Sequence, residues 1–161
     1  MPDGGESNEV IVRTPMNHSY IRLAVMAVLS FVSMYVLMYA MVDRFDNVFH
    51  SLNQAYMAGL MAAPMVVIEI LLMGSMYGNR RLNAALIVVS VLAAFALFLL
   101  IRQQTAIADR QFLRSMIPHH AGAILMCEEA PLKDTEVRKL CASIIASQRA
   151  EIAQMKALLA R

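Results

Sequence analysis

Hydrophobic positions along this chain form three long unbroken runs, followed by two segments in which apolar and polar residues alternate with a helical period. Residues 23–42 and 82–101 carry no charged side chain, and residues 55–77 carry one, Glu69. At about 1.5 Å per residue each run reaches across a hydrocarbon core about 30 Å thick, so three transmembrane helices are predicted. Buried helices of a soluble bundle would show polar stripes, and none of these runs has one wide enough. The first run exceeds the core of a signal peptide and ends in "LMYAMVD" without a small-residue cleavage site, so it is expected to stay as an anchor. Residues 1–20 are polar and unpatterned and predict a flexible tail.

Residues 103–161 read as two helices broken at "APLKD", where Pro131 stops one and Asp134 caps the next, with Glu136 suiting the first turn. The first of the two is expected to continue directly from the third span. The chain thus divides into a tail (1–20), a membrane region (21–102) and a helical hairpin (103–161). The fold class is all-α. Two helices alone bury little core, so a second copy is expected to complete a four-helix bundle.

Composition agrees with insertion: 59% of residues are hydrophobic and 16% charged, against an apolar share of about 45–50% in soluble domains. Charge sets the orientation. Arg13 and Arg22 in the tail and Arg80 and Arg81 in the turn after the second run outweigh Arg44, which stands beside Asp43 and Asp46. Positive charge marks the cytoplasmic side, so the tail is expected inside and residues 103–161 outside, in the periplasm if the membrane is a bacterial inner membrane. Arg102, Arg110 and Arg114 pull the other way. The formal net charge of +2 selects no partner, and no basic face with interleaved aromatics points to nucleic acid.

The hairpin carries the candidate chemistry. At about 100° per residue, Asp109, Phe112, Met116, His119, His120, Ala123 and Cys127 share one stripe, read as the inward face. The second helix groups Val137, Leu140, Cys141, Ile144, Gln148, Glu151, Met155 and Leu158. Folding about residue 132 sets Met116 level with Gln148, His120 with Ile144 and Asp109 with Met155. Met116 reaches His119 and His120 at i+3 and i+4, and thioethers with imidazoles suit Cu(I) or Ag(I) better than calcium or magnesium. No C-x-x-C or H-E-x-x-H pattern favours zinc. Without a Glu-x-x-His pair a ferritin-type di-iron oxidase is not supported, and Met116 and His120, on one helix, cannot bind a haem from opposite sides.

Two stretches, "DRQFLRSMIPHHAGAILM" and "EVRKLCASIIASQRAEIAQMKALL", contain the patterns D-x-x-F-x-x-x-M-I-P-H-H and Q-x-x-E-I-x-x-M. Over about residues 107–160 the chain resembles the helical domain catalogued as domain of unknown function 305, which includes CopM-type periplasmic copper-binding proteins. The resemblance implies a ferritin-like antiparallel bundle, copper or silver tolerance, and metal binding at Asp109, Met116, His119, His120, Met126, Gln148, Glu151 and Met155. Many relatives carry two such hairpins; this chain has one, and dimerisation would restore the arrangement. Cys127 and Cys141 stand where alanine is expected and are read first as small buried residues, with extra ligands or a disulfide as alternatives.

In the membrane region, Glu69 is read either as functional, an additional ligand included, or as a protonated carboxyl bonded to a nearby serine or tyrosine. Methionines 57, 61, 65, 73 and 76 are read as adaptable apolar filler ahead of a copper path, Ala55, Gly59 and Ala63 as a close-packing row, and His50 with Asp43 and Asp46 as a solvated loop. The expected function is that of a membrane-anchored copper- or silver-binding protein, for sequestration, tolerance or delivery, and not an enzyme. The alternative is a metal-free assembly module with a buried polar His/Gln/Glu network.

Overall fold

The structure, a computed structural model, describes residues 16–161. The tail expected at 1–20 lies outside the described residues up to position 15; from Met16 the chain is already helical. Five helices follow: α1 (Met16–Leu37), α2 (Leu52–Leu72), α3 (Arg80–Arg102), α4 (Asp109–Glu129) and α5 (Thr135–Leu159). Among the described residues there is no strand.

Three stretches are long and apolar enough to cross a membrane: His18–Met41, Leu52–Leu72 and Arg80–Arg102. α2 packs against both α1 and α3. Its small residues permit this: Ala58 and Ala62 are buried, and a Cβ on Gly59 would lie 2.9 Å from Leu97 Cδ1. The second span ends earlier than its apolar run. The helix stops at Leu72, and Gly74–Met76 form a single 3-10 turn. Methionines 57, 61, 65, 73 and 76 are all partly exposed, at 36–48%, and none belongs to the buried cores.

At the end of the spans away from the hairpin, Leu23, Ile70 and Tyr77 form a small core. There the Tyr77 hydroxyl donates to Glu69 Oε1 at 3.3 Å, which supplies the hydrogen-bonding partner an intramembrane carboxyl needs. Glu69 therefore belongs to the end of α2 away from the hairpin and is not one of its ligands.

α4 does not continue from α3. Residues 103–108 break the helix, with Gln104 (φ 50°) and Ala106 (φ 60°) in the left-handed region. No glycine or proline announces this break; contacts with the start of α2 hold it. The side-chain amides of Asn53 and Gln104 bond reciprocally at 2.9 and 3.1 Å, the Tyr56 hydroxyl donates to the Thr105 carbonyl, and the Leu52 amide donates to Gln111 Oε1. Such residues cost energy that the surrounding contacts must repay.

The hairpin turn falls where Pro131 and Asp134 place it. Asp134 Oδ1 accepts from the amides of Glu136 (2.8 Å) and Val137 (3.0 Å), satisfying two donors at the start of α5. The core is Ile117, Ala121, Ile124, Ile152 and Met155, with Leu113, Met116, Ile145 and Leu159 packed on it. The α1–α2 connection also contributes Val42 and Phe49. A Cβ on Gly122 would sit 3.3 Å from the Met41 carbonyl oxygen, so glycine lets α4 lie close against this connection.

The inward face of α4 is thus turned by about 80° from the predicted stripe, at about 100° per residue. Met116 and His120 belong to both faces. Phe112, expected inside, is 49% exposed; on α5, Val137, Leu140 and Leu158 are exposed as well.

Candidate metal site

His120 is the centre of the polar cluster. It is buried on α4 (8% exposed), with Nδ1 3.0 Å from the Met116 carbonyl oxygen one turn back and Nε2 2.7 Å from Glu151 Oε2 on α5. Each ring nitrogen therefore has an oxygen within hydrogen-bonding distance. The Met116 contact fixes the ring plane and aims Nε2 across the hairpin. A backbone carbonyl commonly orients a metal-binding imidazole in this way.

Gln148 and Met155 stand about one turn to either side of Glu151 on α5. Met155 is buried in the core, and Met116 packs on the same core from α4. Gln148 Oε1 is buried and has no hydrogen-bond partner, which costs on the order of 1–3 kcal/mol unless something satisfies it. Glu151 is half-exposed. One imidazole and one carboxylate thus meet across the hairpin, while an orphaned amide oxygen and two core methionines lie on the same two helices.

The remaining predicted residues lie elsewhere. His119 is exposed, its ring centroid 6.2 Å from that of His120, at the edge of the cluster. Asp109 is exposed at the first turn of α4, and Met126 is 53% exposed. Register explains the pairing: His120 meets Glu151 and not Ile144. Cys127 and Cys141 are bonded to each other, centring the hairpin on Asp134 instead of residue 132. Among the described residues, no three of the His, Cys, Asp and Glu side chains come together. A closed zinc-type site is therefore absent from those residues, and any set that fits must draw on the thioethers.

The disulfide corrects the reading of both cysteines as small buried residues, and as bonded sulfurs they are not thiolate ligands. A signal for it was present: the two cysteines are equally far in sequence from the Asp134 cap. The α1–α2 connection is also more ordered than a solvated loop. Asn47 is buried and donates to Asp43 Oδ1 at 2.6 Å, while His50 Nδ1 lies 3.1 Å from the Tyr35 hydroxyl and 3.2 Å from that of Tyr39. Glu128, on the outer side, pairs with Arg149.

Comparison with known proteins agrees with the hairpin's sequence patterns. The family described as "Domain of unknown function (DUF305)" matches residues 96–159. The "Uncharacterized protein L153" of Acanthamoeba polyphaga mimivirus is 34% identical over 147 residues, covering 89% of this chain and 93% of that protein. No solved structure matches. With α4 and α5 inside the matched region, and the spans included in the similarity to the viral protein, the chain belongs to the domain of unknown function 305 family.

Proposed function

We propose that this chain is a membrane-anchored binding protein for Cu(I) or Ag(I), holding the ion on the periplasmic or exterior side for sequestration, tolerance or delivery, and that it is not an enzyme. The observation that carries the reading is His120. Its ring is oriented by the Met116 carbonyl with Nε2 directed at Glu151 on α5, and the orphaned Gln148 Oε1 and the core methionines Met116 and Met155 belong to the same two helices. Nε2 would exchange Glu151 for the ion, with Met116 and Met155 as soft donors and Gln148 Oε1 at the pocket wall; His119 stands outside as a first point of contact. The Cys127–Cys141 disulfide supports the exterior placement of the hairpin, since such bonds persist in oxidising compartments.

Titration of the full chain in detergent with Cu(I) and Ag(I) tests this. Stoichiometric binding is expected for the wild type, and His120→Ala is expected to weaken it on the order of 100-fold, the scale on which a ligand's support matters. Unchanged binding by His120→Ala would overturn the assignment.

A second reading is a metal-free assembly module. It is favoured by one observation: both nitrogens of His120 already have partners within the fold. It predicts no stoichiometric uptake by the wild type.

We also propose that two hairpins pair. Val137, Leu140, Met126 and Leu158 leave apolar area exposed on α4 and α5, and a second copy would cover it in a four-helix bundle. Light scattering in detergent is expected to give twice the chain mass; a monomer mass retires the bundle.

A further inference from the structure

The disulfide lies at the turn end of the hairpin, away from the His120 cluster. Cys127 is about 10 Å further along α4 than His120, at about 1.5 Å per residue. The two cysteines, with Cα atoms 5.3 Å apart on facing helices, line a shallow cavity of about 230 Å³, open to the surface, with Ala130, Leu132, Arg138, Ala142 and Ile145. Its other walls are small or apolar apart from the one guanidinium. Ile145 joins this recess to the hairpin core of Ile117, Ile124 and Ile152.

We propose that Cys127 and Cys141, once reduced, form a second site: a two-coordinate seat for a soft monovalent ion, Cu(I) or Ag(I), of which the disulfide is the closed form. The site does not depend on the assignment of His120. Thiolates are the donors that select Cu(I) most strongly. With sulfur–metal distances of about 2.3 Å, the sulfurs must stand roughly 4.5 Å apart, and the cavity gives them room to separate while the helices stay in place. Loading proceeds in two balanced steps. Two external thiol molecules each give one electron and one proton and leave joined as their own disulfide, so the Cys127–Cys141 bond becomes two S–H groups. The ion then displaces both thiol protons, and the product carries one net negative charge, which Arg138 at the cavity wall offsets.

The test uses the full chain in detergent, oxidised or reduced with a small dithiol that is then removed under argon, and titrated with Ag(I). Reduced protein is expected to take up about one more ion per chain than oxidised protein, with a new ultraviolet thiolate-to-silver band. His120→Ala is expected to keep this increment and the Cys127→Ser, Cys141→Ser pair to lose it, which separates this site from the one around His120. Equal uptake by both redox forms overturns the proposal, as does an increment that survives the double serine change. Half an ion per chain also overturns it, because the ion then bridges two molecules. So does loss of helical circular dichroism on reduction, or a disulfide that the dithiol leaves intact in the folded protein.

Discussion

Ile124→Ala is expected to destabilise the hairpin by about 3 kcal/mol, within the range for emptying a fully buried aliphatic position. Ile124 is completely buried and contributes to the only core α4 and α5 share with the α1–α2 connection among the described residues. Its loss removes contacts with α5 on one side and leaves a void the rigid spans below cannot collapse to fill. Amide hydrogen exchange reads the effect, since the three spans keep most of the helical signal in bulk spectra. Protection in α4 and α5 should fall by about a hundredfold, as 1.4 kcal/mol per factor of ten requires. Phe112→Ala supplies the contrast. That side chain is half-exposed, and its truncation is expected to cost less than about 1 kcal/mol. Equal losses at both positions would mean that the inward face of α4 has been assigned to the wrong residues.

The second large effect is expected from the paired change Cys127→Ala, Cys141→Ala. The bond joins residues separated by 14 positions, and a closed loop of about that size lowers the entropy of the unfolded chain by the equivalent of about 3 kcal/mol. The same exchange experiment should show the ends of α4 and α5 nearest the turn opening first. No change in protection there would show that the cross-link contributes nothing to the hairpin. The two effects are not expected to add, because Ile124 and Cys127 are neighbours on one turn of α4 and report on the same opening.

The three long apolar helices were legible because runs of about 20 residues with at most one charge form continuous helices long enough to cross a membrane. The turn was legible too: Pro131 and Asp134 act locally, and their consequences need no knowledge of the rest of the fold. The inward face of α4 was not. Leu113, Ile117, Ala121 and Ile124 compete with Phe112, Met116, Ala123 and Cys127, so apolar residues wrap most of the helix and periodicity alone cannot choose between the stripes. What decides is tertiary: Val42 and Phe49 arrive from the α1–α2 connection and cover the isoleucine side. The break at residues 103–108 was hidden for the same reason, since Gln104 owes its backbone conformation to Asn53, about fifty positions earlier. Of the candidate site, the meeting of His120 with α5 was anticipated, but its partner was placed two turns away. Asp109 and Met126 share sequence patterns with the family yet stand apart from the cluster, and His119 reaches only its edge.

Val42 and Phe49 bear on any attempt to isolate the hairpin. A fragment beginning at residue 103 would keep both helices, the cap and the cross-link, yet its isoleucines would lose the lid that the membrane-proximal connection supplies. The hairpin is therefore not a portable module: transplanted onto a different anchor, it would need a substitute cover for that seam before it could hold its shape.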